Sequence, residues 1–492
     1  MSARSFDAVI IGGDADGLAA ATSLAGAGSK VLVLNESDVL GGALRELEFT
    51  PGYRAAPFAP AADSTLVALT DGEPLVLDLA SGMPSESLLR CSATDSERWT
   101  TFTQRMQALA VFLGEVYRAP PPRVDADTFG EFLFLAKLAL KFRGLGRANM
   151  AELLRTLPIP ISDLLDDEFE TPALKGALAA FAVSGLGQGP TAAGTAFTFL
   201  HRLYADTRSK TALRQVNHEA SARAAGATIE TNRRISGIAV RDGRAAGVIL
   251  ESGEEIGCDT VISSLDPRRS LLELIDPKHH DPDFILAVRN IRYRGVTTKV
   301  LLALEALPAL PSGQAALRGS MLIAPTVRYV ERAYEATKYG RCSEQPFIEI
   351  RFPTVTQPEL APAGRHVAVL HVQYTPYRLR EESWDAERES VADRAIAVVE
   401  EYLPGLAAQV RDRHVLTPPD LEAHFGVREG AVSQGEMALD QILFMRPVPA
   451  ASRYATPIEG LFLCGAGTHP GVGLPGISGE LAARAANGAR RR

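Results

Sequence analysis

The sequence predicts an α/β protein whose nucleotide-binding fold is assembled from both ends of the chain around a middle rich in helices and strands. Three observations predict it. The opening residues read strand–turn–helix–strand, the closing ones read strand–glycine loop–helix, and short alternating strands fill Gly226 to Ser264. With 492 residues, 46% of them hydrophobic, the chain has material for two or three domains and a sizeable core.

In chain order, "AVII" (Ala8 to Ile11) gives the first strand, "GLAAATSLAGAG" a helix stopped by Gly26 and Gly28, and "KVLVLN" (Lys30 to Asn35) the second strand. The apolar run Val31 to Leu34 suits a strand buried on both faces. Residues 97–200 are helix-rich. There "FGEFLFLAKLALKFRGLG" (Phe129 to Gly146) is amphipathic, readable as a helix covering a pocket or as an interfacial helix at a membrane. Beyond Gly226 the turns Arg241-Asp242-Gly243-Arg244 and Glu251-Ser252-Gly253-Glu254 each signal a hairpin. "TTKVLLALEAL" and "RHVAVLHVQYTPY" read as strands of a further sheet. The chain closes with a strand (Leu461 to Cys464), a glycine-rich loop and a helix of small residues.

The net charge of −8 argues against nucleic acid as a partner, which usually demands basic patches, and Arg490-Arg491-Arg492 reads as a solvated tail. Cys91, Cys258, Cys342 and Cys464 show no metal-ligand spacing and read as reduced thiols, so no metal is expected. No signal peptide and no membrane-spanning apolar stretch are apparent, which suggests a cytoplasmic protein, at most peripheral to a membrane.

Several stretches carry a resemblance. "GAGTHPGVGLPG" (Gly465 to Gly476), "LLRTLPIPISDLLDDEFETPALKGAL", "GPTAAGTAFTFLHRL", "HVQYTPYRL" and "GEMALDQILFMRPVPAASRYATPIEGLFLCGAGTHPG" occur in order along the chain. Together they resemble the carotenoid/retinoid (phytoene desaturase-like) oxidoreductase family, and within it the subgroup called pyridine nucleotide-disulfide oxidoreductase domain-containing protein 2. The resemblance implies a glutathione-reductase-type FAD-binding (Rossmann-like) domain interrupted by a mixed α+β substrate domain. It divides the chain into 1–75, 205–285 and 415–492 for the nucleotide-binding domain, and 76–204 and 286–414 for the substrate domain. It also implies FAD as cofactor, with the flavin accepting hydride from an apolar small molecule of the isoprenoid-like kind.

The cofactor positions carried over are Gly12, Gly13, Asp14 and Gly17, then Asn35, Glu36, Gly41, Gly42 and Ile235, then Gly465, Gly467, Gly473, Pro475 and Gly476. Several depart from the pattern. The fingerprint glycines serve a tight turn, close approach to a diphosphate, and helix–strand packing. Gly12-x-Asp14-x-x-Gly17 puts a carboxylate in the second of these places. Two like charges about 4 Å apart cost roughly 4 kcal/mol at an effective dielectric near 20. Asp14 or Asp16 can instead cap the helix itself. Asn35 stands where the family has an acidic ribose acceptor, and Glu36 is expected to point to the opposite strand face. Ser37 replaces an arginine of relatives. "YADTRSKTALRQV" (Tyr204 to Val216) replaces their Gly-Gly-Met-Gly stretch.

No nucleophile elbow or acid–base pair has recognisable spacing. His469, inside the glycine loop, is the histidine candidate for catalysis. Gln434 stands where near relatives have His, the His279-His280 pair reads as solvated, and Lys299, Tyr374 and Arg446 are candidate pocket residues. Two functions follow. One is an FAD-dependent oxidoreductase acting on an apolar molecule. The other is a flavin-fold protein without FAD that serves as a binding or partner subunit, or as a non-redox enzyme. A membrane-peripheral carrier is a third.

Overall fold

The computed structural model describes residues 4–121, 129–215, 217–310 and 313–490. Two seven-stranded sheets and a two-stranded ribbon organise them. In the first sheet, strand Ser5–Ile11 lies between Val31–Leu34 and Glu255–Ser263, parallel to both. Thr228–Glu230 extends it beside Val31–Leu34, and Leu461–Leu463 pairs in parallel with the end of Glu255–Ser263. The centre of a parallel sheet is covered on both faces, which is why Ala8 to Ile11 and Val31 to Leu34 are apolar without alternation. The predicted hairpin joins Ile235–Arg241 to Arg244–Leu250, with Asp242 and Gly243 both at positive φ (52° and 75°), as a right-twisted two-residue turn requires.

Helices Ala15–Gly26 and Ile477–Arg490 cover one face of this sheet through a core of small residues that includes Ala20, Ala21, Ala482 and Ala483. The small residues let backbones touch. A Cβ on Gly17 would stand 2.2 Å from the Gly12 carbonyl oxygen, and one on Gly479 would stand 1.9 Å from that of Asp16.

The second sheet runs Val410–Leu416, Thr297–Leu304, His366–Gln373, Ile348–Arg351, Ser320–Ile323, Thr65–Ala68, Leu75–Asp78. One face is apolar (Val67, Met321, Ile348, Ile350, Leu370, Val300) and lies in the same core as Val391, Ala395 and Val399 of helix Trp384–Tyr402. The opposite face looks toward helices Pro172–Val183 and Thr195–Gln215 across a cavity. The sheets run across the expected boundaries. Position 75 falls within a hairpin that pairs with Ser320–Ile323, so the strands within 65–78 belong to the second sheet. The divisions after 204, 285 and 414 fall inside helix Thr195–Gln215, helix Pro282–Arg289 and strand Val410–Leu416.

The amphipathic segment forms helix Phe129–Gly144, but among the described side chains none of its residues lines the cavity. Phe142 packs on Phe112 with ring centroids 5.6 Å apart, while Phe132, Leu133 and Leu140 face outward. Among the described residues, no helix is long and apolar enough to cross a membrane.

Candidate functional site

A cavity of about 850 Å³ runs from the first glycine turn to the inner face of the second sheet. At its first end, Gly12 takes φ +108° and helix Ala15–Gly26 begins. A helix start leaves N–H groups without partners and attracts anions. The chain supplies that anion itself: Asp14 Oδ1 accepts from Gly17 N at 2.8 Å. Burial raises the pKa of Asp14, against the opposing pull of hydrogen bonds from Gly17, Ser264 and Asp16. Burial, then repulsion from Asp14, lifts Asp16 to about 7.

Asn35 is committed to its own backbone. Its Oδ1 accepts from Gly13 N (3.2 Å), and its Nδ2 donates to the carbonyls of Ser37 (2.8 Å) and Val39 (3.0 Å). Glu36 corrects the sequence reading. The strand ends at Leu34, so strict alternation stops there, and Asn35 and Glu36 both line the cavity. Glu36 Oε1 accepts from Arg269 Nη2 at 2.6 Å and from Ile235 N at 3.3 Å. The carboxylate that Asn35 lacks is therefore present one residue later, beside the Ile235 backbone.

Gly13, Gly41, Gly42, Gly473 and Pro475 also line the cavity, whereas Gly17, Ile235, Gly465, Gly467 and Gly476 shape it from behind. Gly42, at φ +57°, faces Asp14: a Cβ there would meet the Asp14 Cβ at 2.9 Å. Gly467 N donates to Gln434 Oε1 (2.8 Å), and Gln434 Nε2 donates to Ser264 O (3.2 Å), so this glutamine staples the glycine loop to the first sheet. In place of the missing glycine stretch, helix Thr195–Gln215 brings Ala205 and Asp206 to the wall.

At the far end a charged row crosses adjacent strands. Register places Lys299 beside His371, and His371 beside Glu349. The hydrogen bonds fix a tautomer. Gln373 Nε2 donates to the carbonyls of Val183 and Leu186, both at 3.0 Å, and its Oε1 accepts from Gly185 N at 2.8 Å. His371 Nε2, 3.0 Å from that same oxygen, must carry the proton. Its bare Nδ1 then accepts from Lys299 Nζ at 2.7 Å. Burial, reinforced by Arg351 and Arg202, holds the Lys299 pKa well below the usual lysine range, and burial and Lys299 hold His371 low. Glu349 stays ionised. Burial opposes this, but Arg351 and then Arg202 outweigh it. Ser184 and Ser320 donate to its two oxygens at 3.0 and 2.8 Å.

His469 does not line the cavity. It is fully buried against Tyr117, and burial lowers its pKa to about 4. The histidines on the wall are His371, His424 and His201, the last held by Tyr117 Oη (2.7 Å) and the Val472 carbonyl (2.8 Å). Of Lys299, Tyr374 and Arg446, Lys299 lines the cavity. Tyr374 donates to Gln188 O (2.8 Å), and buried Arg446 clamps backbone carbonyls that include those of Ala466, Glu436 and Gln441. His280 is buried, its Nε2 2.8 Å from Leu271 O, rather than solvated. Sequence reading missed Glu349, Arg351, Arg202 and His371. The signal was "IEIR" and "HVAVLHVQ", where charged or polar residues recur at alternate positions of apolar strands and so share one face.

These residues fit FAD on one condition. Glu36 stands ready for ribose, and the Gly41-Gly42 and Gly471–Gly473 turns have backbone within reach of a ligand. The diphosphate is compatible with Asp14 only when that carboxyl is neutral, a form that its buried setting favours and that can donate a hydrogen bond.

The family model described as flavin containing amine oxidoreductase matches residues 17–487. Pyridine nucleotide-disulfide oxidoreductase domain-containing protein 2 of Rattus norvegicus is 31% identical, over 97% of this chain and 92% of that protein. The neurosporene-forming phytoene desaturase of Rhodobacter capsulatus is 27% identical, over 97% of this chain and 93% of its own. Among solved structures, putrescine oxidase bound to putrescine superposes with a TM-score of 0.59 at 15% identity, covering 99% of both chains, which shows the fold.

Proposed function

The chain belongs to the flavin-containing amine oxidoreductase family, and from that premise we propose that it is an oxidoreductase removing hydride from a small molecule with an apolar body, using FAD held in a cradle sensitive to protonation. The observation that carries this reading is the continuity of the cavity. One space joins the Gly12–Asp14 turn to the Lys299–His371–Glu349 row. When bound, the flavin supplies the hydride acceptor. The chain's own residues do the rest. Leu66, Phe181, Leu186 and Leu322 give the chamber an apolar wall that excludes water. Lys299, kept toward its neutral form and oriented by His371, is placed to take up the proton released on oxidation.

One observation favours a second reading, in which the chain binds its ligand without FAD as a partner subunit: the Asp14 carboxylate already satisfies the helix start. A titration separates the two. The purified chain is mixed with excess FAD at pH 6 and pH 8, desalted, and read by visible absorbance. The first reading expects flavin retention at both pH values with tighter binding at pH 6. It also expects Asp14→Asn to bind equally at both and, at pH 8, up to about a thousandfold more tightly than wild type, the equivalent of roughly 4 kcal/mol. Protein that stays colourless at both pH values, with Asp14→Asn unable to rescue it, establishes the second reading instead.

A further inference from the structure

The floor of the chamber holds two guanidiniums, and one of them is poorly partnered. Glu349 is buried, and two guanidiniums share it. Arg202 Nη2 lies 3.5 Å from Oε2, and Arg351 Nε lies 3.4 Å from Oε1. Arg202 has further support: its Nη1 donates to Ser184 O at 2.8 Å, and Asp206, on its own helix, adds a second carboxylate to its field. Arg351 has none of this. Among the described residues it makes no hydrogen bond, its Nε is sealed from solvent, and its side chain is 12% exposed on the cavity wall.

A largely buried guanidinium whose one carboxylate partner among the described residues is shared and 3.4 Å away is costly, because buried charges need full pairing. Covering it with pure hydrocarbon removes its remaining access to water and deepens that cost. A carboxylate removes it, since the planar fork of arginine matches the two oxygens of a carboxylate in a bidentate pair. One guanidinium without a hydrogen bond among the described residues suits a single carboxylate head.

We infer that this chamber binds a small molecule with an apolar body and a single carboxylate head, the head seated on Arg351 and the body along Leu66, Leu322 and Phe181. The inference rests on reading this cavity as the substrate chamber, and it names the substrate class. It also sets this chain against the cationic amine that the family description suggests, because a protonated amine would meet Arg351 and Arg202 with like charge.

The test uses three probes of one chain length, decanoate, decanol and decylamine, titrated calorimetrically into the full-length protein below their aggregation concentrations. The expected order is decanoate tightest, decanol at least tenfold weaker, decylamine weakest. Arg351→Gln is expected to weaken decanoate at least tenfold while leaving decanol unchanged. Arg351→Lys, which keeps the charge but loses the fork, is expected to fall between and covers the case in which the glutamine variant does not fold. Equal affinity for decanoate and decanol overturns the inference. So does decylamine binding tightest, or decanoate binding untouched by either substitution. Visible absorbance of the same protein, after mixing with excess FAD and desalting, keeps the two proposals apart. Colourless protein that prefers decanoate loses the FAD reading and keeps this one, and yellow protein without a head-group preference does the reverse.

Discussion

Glu349 is a single side chain on which four others converge, and its removal has a calculable direction. Replacing it with Ala leaves Arg202 and Arg351 facing each other in a buried space and strips Ser184 and Ser320 of their acceptor. Breaking a buried ion pair from one side costs about 3–5 kcal/mol. Glu349→Ala is therefore expected to lower unfolding free energy by that amount in a denaturant titration, whereas Ser184→Ala, which removes one neutral donor, should cost about 1 kcal/mol. A Glu349→Ala variant as stable as wild type would show that the two arginines find solvent or another partner. The residue scale also shows how a correct residue type can be assigned the wrong role. His469 sits within the glycine loop in sequence, yet its ring turns into the packing against Tyr117. Nothing in residues 465–476 distinguishes a ring aimed at a cavity from one aimed at a neighbouring helix. His371, which does reach the cavity, lies in a strand that reads from sequence as ordinary core.

At the scale of elements, helices Ala15–Gly26 and Ile477–Arg490 test how closely two backbones need to approach. Gly479 sits where a Cβ would overlap the Asp16 carbonyl oxygen at 1.9 Å, while Gly488 on the same helix has nothing within 4 Å. Gly479→Ala is expected to destabilise by several kcal/mol, because the helices cannot separate without opening the core of small residues between them. Gly488→Ala is expected to stabilise by up to about 1 kcal/mol through helix propensity alone. Thermal unfolding of the two variants side by side checks both signs. Elements were the most legible level of this chain. Strand Val31–Leu34, the hairpin around Asp242-Gly243 and helix Ala15–Gly26 follow from local patterning, because each is fixed by interactions within a few residues. The role of Glu36 was not legible. Period-two alternation assigns it to the wrong side, and only the end of the strand at Leu34 frees it to meet Arg269 and the Ile235 backbone.

For the whole molecule, the paired aspartates make folding pH-dependent in an unusual sense. The folded pKa of Asp16, about 7, and that of Asp14 both lie above the unfolded value near 3.8. A raised carboxylate pKa means that the native state binds protons more tightly than the unfolded chain. This contribution is complete below about pH 4 and is lost as pH rises through about 7. Glu349 runs the other way, its depressed pKa adding stability that is complete once pH exceeds the ordinary glutamate value near 4.5. The buried histidines His201, His371 and His469 also run the other way, because their lowered pKa values add stability as pH rises through the unfolded value near 6.5. The aspartates are therefore read as a difference between variants. Asp16→Asn, which keeps an oxygen for Gly479 N, is expected to give FAD-free protein whose melting temperature rises more, or falls less, between about pH 5 and pH 8 than that of wild type. A slope unchanged by that substitution would assign the titration to other groups.

The sequence by itself determined the α/β class, the two terminal contributions to one parallel sheet, the family resemblance and the anomaly at Asp14, because propensity, periodicity and motif spacing are local properties written along the chain. Tertiary structure alone decided which charges share a space. Lys299, Glu349 and His371 meet only because three strands pair in one register, and Arg202 arrives from a helix packed across the cavity. Burial then converts that proximity into shifted protonation and a poorly partnered guanidinium, since electrostatic energy depends on distance and dielectric, which no order of residues specifies on its own.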